Sequence, residues 1–283
     1  MVTVGRVRAS GVPFRQREPL RVPVRIVGRG QRREVGCLHT DTPDGSAMIT
    51  GEKLYEGKAK VVYATEDPEV YIQDFKDSAT AFDGKKKGTI GDKGRTNNAI
   101  SSRLFTLLEQ NGVKTHFLGV ESERAMRIRR LDMFKVEFVV RNVAAGSLSK
   151  RIGYPEGTPL KNPPIVEYYY KDDELGDPLL CTSHLDELEV VEPEYLEEAT
   201  IMARHVNEVL RAFFAEHGLT LVDFKLEFGA DAEGTVRLGD EISPDTCRLW
   251  DANTGEKLDK DRFRRDLGGV EEAYAEVLRR ISS

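Results

Sequence analysis

Residues 221–229, Leu-Val-Asp-Phe-Lys-Leu-Glu-Phe-Gly, constrain the fold of this chain more than any other stretch. Residue type alternates, so in extended chain Val222, Phe224, Leu226 and Phe228 share one face and Asp223, Lys225 and Glu227 share the other. The first face is core. The second holds two carboxylates and an ammonium in the middle of an apolar strand, where charge is costly unless it is paired or bound to metal. A second run, Leu238 to Asp245, repeats the pattern, with Leu238, Asp240 and Ile242 on a common face. The Gly- and Asp-containing link between the runs predicts a hairpin that delivers Glu227 and Asp240 to one place. A few hard oxygen ligands suit a Mg²⁺ held partly by nucleotide phosphates. The competing reading is a solvated face with cross-strand charge pairs. The carboxylate-rich turn Asp240-Glu241-Ile242-Ser243-Pro244-Asp245 favours the metal.

At 283 residues the chain exceeds one average domain, which predicts two lobes around a shared cleft. Hydrophobic content of 39% supports real cores, and a net charge of −6 argues against a nucleic-acid partner. No run of 18 apolar residues is present to span a membrane. Cys37, Cys181 and Cys247 are odd in number and lack CxxC or metal spacing, which fits a reducing cytoplasm. Residues 1–47 read differently: they hold nine Arg, no Lys and four acidic residues, and Pro13, Pro19 and Pro23 interrupt any amphipathic helix. We expect this head to be disordered, with translation starting at Met48.

From Leu54 the chain is organised. Glu56-Gly57-Lys58-Ala59-Lys60 places a glycine and two lysines at the mouth of a strand, either as a loop that admits phosphate or as an ordinary hairpin turn. No GxxxxGK[ST] loop exists. Val70–Phe75 reads as the return strand after a turn at Thr65-Glu66-Asp67-Pro68. Phe75 to Gly88, with Lys85 and Lys86, reads as a loop over anionic ligands or as a solvated lysine run. A helix is predicted from Arg95 to Gln110 with Ile100, Leu104, Leu107 and Leu108 as its core stripe. Strands follow over 115–120 and 125–131, and His116 reads as structural or surface. Met133 to Asn142 alternates again and carries Arg141 to a turn of small residues, where Ser147 is predicted to open a helix through Lys150 and Arg151 and to form an anion site beside Arg141. A surface salt bridge for Arg141 and a plain helix cap for Ser147 compete with that reading. Pro193 to His217 predicts a long core helix, after an acidic surface run at Asp186, Glu187 and Glu189. Residues 259–281 predict two helices broken at Gly268-Gly269, and Trp250 is expected to pack beside the site. The whole is a mixed α+β protein.

Five blocks in order, LYEGKAK (54–60), FKDSATAFDGKKK (75–87), VVRNVAAGSLSKR (139–151), LVDFKLEFG (221–229) and LGDEISPDTCRLWD (238–251), make the chain from about Lys53 onward resemble the SAICAR synthetase family. The 47-residue head has no counterpart in typical bacterial members. The resemblance implies a two-lobed α+β fold with antiparallel sheets, ATP-grasp-like or kinase-like, with ATP in the cleft between an N-terminal lobe (48–132) and a C-terminal lobe (133–283). It implies an ATP-dependent ligase that joins the carboxylate of carboxyaminoimidazole ribonucleotide (CAIR) to the amine of L-aspartate, commonly as a homodimer. Carried over by position, Lys58 and Lys60 meet the ATP phosphates, Met133 to Lys135 forms an adenine-contacting hinge, and Glu227 and Asp240 hold Mg²⁺. Arg141, Ser147 and Arg248 bind CAIR, Asp177 faces its ribose or imidazole end, and Asp223 and Lys225 lie near the reacting carboxylate. A small-molecule kinase with the same Mg-ATP site and a non-catalytic nucleotide-binding module are the rival functions.

Overall fold

Short alternating runs open the described chain. In the computed structural model, which describes residues 51–81 and 86–283, they form β1 (Lys53–Glu56), β2 (Lys60–Ala64) and β3 (Val70–Phe75). The Arg-rich head, the expected start at Met48 and Lys85 lie outside the described residues. The Gly57 N–H donates to the Lys60 carbonyl at 2.9 Å, so the Gly57 segment is the tight turn joining β1 to β2. Ser78–Ala81 (β4) and Lys86–Thr89 (β5) pair as a two-stranded ribbon where a loop was expected. Their ladder satisfies the backbone, and Lys86 donates to the Phe263 carbonyl (2.5 Å) and to Asp266 (2.6 Å), so it is not a solvated lysine. Helix α1 (Lys93–Gln110) starts two residues before the predicted Arg95 because Lys93 is drawn into a buried ion pair with Asp245 at 2.5 Å. Of its predicted stripe, Ile100, Leu104 and Leu108 are fully buried, while Leu107 is only partly buried at the edge of the core. With β6 (Phe117–Val120) and β7 (Ala125–Arg129) the first sheet is antiparallel, in the order β1-β2-β3-β7-β6.

The second sheet begins with β8 (Asp132–Arg141), followed by α2 (Gly146–Ile152), β9 (Ile165–Tyr170), β10 (Leu179–Leu180) and α3 (Thr182–Leu188). Then come α4 (Pro193–Glu216), β11 (Leu219–Ala230), β12 (Val236–Leu238), β13 (Cys247–Asp251), α5 (Asp261–Arg264) and α6 (Val270–Ile281). The order is β10-β9-β8-β11-β12, with β13 also on β11, and all pairs are antiparallel. Strand β11 is thus central, paired with β8 along one edge and with β13 and then β12 along the other.

The expected hairpin of β11 and β12 is present, but its second strand stops at Leu238. Asp240 takes a left-handed backbone, φ +62°, which ends the alternation, so Leu238, Asp240 and Ile242 do not lie along one strand. Helix α4 lies across β8, β9, β11 and β12 and buries Ala199, Ala203, Val206, Leu210 and Phe214. One continuous core runs from Phe75, Met126 and Ile128 through Leu104, Phe105 and Leu108 of α1 to Phe138, Leu226 and Phe228 of the second sheet. Among the described residues no helix is long and apolar enough to cross a membrane.

Candidate active site

The polar face of β11 looks into a cleft of ≈1670 Å³ lined from both sheets, larger than a single-ligand pocket requires. Register explains the charges there. Glu227 of β11 sits directly opposite Glu137 of β8, a like-charge pair that would repel unaided. Lys225 resolves it, donating from Nζ to Glu227 Oε1 at 2.6 Å and to Glu137 Oε1 at 3.0 Å, with Asp240 Oδ2 at 3.8 Å. Lys171 caps the other Glu227 oxygen. On the facing side Lys60 pairs with Asp240 and reaches Glu241 at 3.2 Å. Burial alone would lower the pKa of Lys225, but Glu227, Asp240 and Glu137 outweigh it and hold the ammonium well above its ordinary range. Burial pushes the Asp240 carboxyl up, yet Lys60 and Lys225 prevail and it stays ionised. In Glu137 burial wins, and its pKa is raised.

A second cluster surrounds Asp223, which lies opposite Arg141 in the β8 register and opposite Arg248 in the β13 register. Arg141 Nη1 donates to Asp223 at 2.7 Å, and Arg248 Nη1 donates to both its carboxylate oxygens at 3.0 and 2.9 Å. The rest of Arg141 is spoken for: Nε donates to Glu167 at 2.7 Å, and Nη2 to Tyr169 (3.2 Å) and Ser147 (3.3 Å). Arg248 Nε donates to Asp261 at 3.0 Å, while its Nη2 has no hydrogen-bond partner among the described residues. Gly146 makes room for it: φ is +55°, and a Cβ there would stand 2.7 Å from Arg248 Nη2. Ser147 does not cap α2; the cap position is Ala145, without a side-chain bond, and the hydroxyl serves as an acceptor for Arg141.

The structure brings all twelve predicted site residues, Lys58, Lys60, Met133, Lys135, Arg141, Ser147, Asp177, Asp223, Lys225, Glu227, Asp240 and Arg248, to the lining of this one cleft. Lys58 is exposed and donates to Asp173 at 3.1 Å. Asp177, at φ +48°, accepts the Asp172 N–H at 3.0 Å, shaping the loop before β10. Trp250 does not line the cleft; Lys257 Nζ stacks 4.4 Å over its ring. His116 is buried, edge-on to Phe105, and burial drops its pKa to about 3, so the neutral ring belongs to the cleft wall. Sequence reasoning missed Glu137, Glu167, Tyr169 and Lys171 as members. Glu137 was on the polar face of its predicted strand, whereas β9 was not predicted at all.

Among the described residues no group of three or more His, Cys, Asp or Glu side chains is placed to hold a metal ion. Glu227 and Asp240 offer two hard oxygen donors, both already facing ammonium groups, which fits a Mg²⁺ that draws its remaining ligands from phosphates and water.

Fold and site together define a class: a two-sheet α+β protein whose cleft is lined by paired cations and carboxylates drawn from both sheets. The family model for SAICAR synthetase matches residues 53–281, and the chain belongs to that family. It is 61% identical over 234 residues to a phosphoribosylaminoimidazole-succinocarboxamide synthase from Chlorobium chlorochromatii (strain CaD3), covering 83% of this chain and 99% of that protein. A crystal structure of phosphoribosylaminoimidazole-succinocarboxamide synthase from Ehrlichia chaffeensis is similar with a TM-score of 0.79 at 46% identity, covering 82% of this chain and 98% of that one. A structure of SAICAR synthetase (type-2) in complex with ADP is similar with a TM-score of 0.78 at 50% identity, covering 80% and 96%.

Proposed function

We propose that this cleft joins the carboxylate of CAIR to the amine of L-aspartate at the expense of ATP, giving SAICAR, ADP and phosphate in purine biosynthesis. A carboxylate is a poor electrophile, so one of its oxygens must first become a leaving group by accepting the γ-phosphoryl; the neutral amine nitrogen then forms the C–N bond and gives up a proton to solvent as the C–O bond to phosphate breaks. Such chemistry is charge management around phosphoryl oxygens. The observation that carries the reading is β11 itself, which sets Asp223 between two guanidinium groups and Glu227 beside Lys225 on one strand face.

In this reading Lys58 and Lys60 meet the ATP phosphates, and Met133 to Lys135 borders the base. Arg248, with Arg141 and Ser147 behind it, takes the carboxylate and phosphate of CAIR, since a planar guanidinium suits both. Asp177 faces the sugar or imidazole end. Lys225 stabilises charge developing on the reacting carboxylate, and Asp223 holds the two arginines at their working separation. Glu227 and Asp240 would hold Mg²⁺, which when bound screens the phosphoryl charges. The division into an ATP lobe (48–132) and a substrate lobe (133–283), the homodimer and a cytoplasmic setting belong to the same proposal.

The test is ADP release by purified protein with Mg-ATP, CAIR and L-aspartate, repeated with each component omitted. Turnover that needs all three supports the ligase. ADP formed at the same rate without aspartate would favour a kinase using the same Mg-ATP site.

A further inference from the structure

Strand β3 is apolar on the face that looks toward the second sheet, except at Gln73. Its pairing partners there are Val62 and Met126, and its side chain is 3% exposed. A buried amide in such surroundings is costly unless it is used. Gln73 Nε2 donates across the cleft to the Asp240 carbonyl at 3.1 Å, with the Met126 sulfur at 3.9 Å as its other contact. Asp240 is the non-glycine residue whose backbone turns left-handed at the end of β12. Such a conformation persists where neighbours over-determine it, and it clusters at functional sites.

Two adjacent strands of the first sheet therefore grip the same residue of the second. Lys60 of β2 holds the Asp240 carboxylate, and Gln73 of β3 holds its carbonyl. Further along the same segment the His116 N–H donates to the Leu238 carbonyl at 2.9 Å and the Leu238 N–H to the Lys114 carbonyl at 3.0 Å. With the Gly239 N–H donating to the Glu227 carbonyl at 2.9 Å, these bonds fix the chain up to Gly239, and at Asp240 the backbone is met by the His116 ring and by Gln73.

We propose that Gln73 is a positioning residue for Asp240, holding its strained backbone so that the carboxylate stays aimed beside Glu227. This rests on the reading of Asp240 as a Mg²⁺ ligand. In this role Gln73, though it lines the cleft, acts through the Asp240 carbonyl and not by contact with nucleotide or metal. Residues that orient metal ligands from behind typically change metal affinity by roughly 10- to 100-fold when replaced. Gln73→Met keeps the length and loses the donor.

The experiment is calorimetric titration of ADP with and without Mg²⁺ on the full chain, for wild type, Gln73→Met and Asp240→Asn, alongside thermal unfolding. The ratio of the two ADP affinities reads metal engagement without turnover. The proposal expects Gln73→Met to shrink that ratio roughly tenfold while affinity without Mg²⁺ stays as in wild type. In turnover the loss should appear in the Mg²⁺ needed for half-saturation, with kcat at saturating Mg²⁺ largely kept. A ratio unchanged in Gln73→Met but collapsed in Asp240→Asn overturns the positioning role alone. A ratio unchanged in Asp240→Asn overturns the metal reading and the inference with it. Should Gln73→Met fail to fold, Gln73→Asn carries the test: its amide falls one methylene short of the Asp240 carbonyl, so the ratio of ADP affinities should shrink in the same direction, and a wild-type ratio would overturn the proposal.

Discussion

Arg141 and Arg248 share Asp223 but differ in what they have left to give, and exchanging each for lysine separates their roles. Arg141 is 3% exposed and makes four hydrogen bonds, two of them to carboxylates. A lysine ammonium could keep one carboxylate; it would lose the other and the two neutral partners. At about 1.5–3 kcal/mol for a charge-assisted bond and 0.5–1.5 for each neutral one, the loss is roughly 3–5 kcal/mol of stability. That corresponds to a fall in Tm of roughly 6–20 °C. Arg248 keeps one nitrogen, Nη2, without a hydrogen-bond partner among the described residues, so Arg248→Lys removes that free donor as well as the bond to one of its two carboxylates, with the neutral partners of Arg141 spared. Losing one charge-assisted bond to CAIR weakens its binding by roughly 10- to 150-fold, while Mg-ADP binding stays near wild type. Differential scanning calorimetry and titration of CAIR and of Mg-ADP measure both quantities. If Arg141→Lys left Tm within about 2 °C and lost more CAIR affinity than Arg248→Lys, the division drawn from their hydrogen bonds would be wrong.

Glu227→Gln removes a proposed metal ligand but also the like-charge pairing with Glu137. We expect the Mg²⁺ needed for half-maximal turnover to rise at least roughly tenfold and Tm to fall, because Lys225 and Lys171 lose a buried carboxylate partner; unchanged turnover at limiting Mg²⁺ would remove Glu227 from the metal site. Gly146→Ala places a Cβ 2.7 Å from Arg248 Nη2 at a φ of +55°, so it should cost stability and CAIR affinity together, and a variant with wild-type CAIR binding would show that Arg248 is not held there. Asp259 is fully buried, and burial, with Asp261 beside it, pushes its carboxyl from 3.8 up to about 7. A raised folded pKa means its stabilising contribution is complete below about pH 4 and disappears as pH rises through 7, at close to 1.4 kcal/mol per unit between; unfolding free energies of wild type and Asp259→Asn should diverge in slope over that window, and parallel slopes would refute the assignment.

The strands that build the site were legible because they alternate. β8 and β11 each put apolar residues on one face and charge on the other, and both are as read, within two residues at their ends. What could not be read was pairing. That Asp223 stands opposite Arg141 on one side and Arg248 on the other depends on register between segments 82 and 25 residues apart. No local pattern carries that information. The same holds for Glu167, which sits on β9, a strand whose Glu-Tyr-Tyr-Tyr run has no alternating polarity. At Asp240 local reasoning failed for a different cause: the residue types continue the strand pattern while the backbone leaves it, and the polar partners that hold the turn come from β2 and β3, some 180 and 167 residues away.

In this state the cleft meets its own charges. Lys60 faces Asp240, Lys225 and Lys171 face Glu227, and Asp223 with Glu167 faces Arg141. A buried charge without a partner would cost several kcal/mol, so at Lys60, Asp240 and Glu227 a ligand would have to exchange partners. On the proposed reading, phosphate arriving at Lys60 would leave Asp240 in need of a cation, and a cation arriving at Asp240 would leave Lys60 in need of an anion. Each event therefore lowers the cost of the other, and by linkage the coupling is the same in both directions. On the proposed reading such a cleft would bind the two ions together more tightly than either alone, as a site that takes its nucleotide as the metal complex requires.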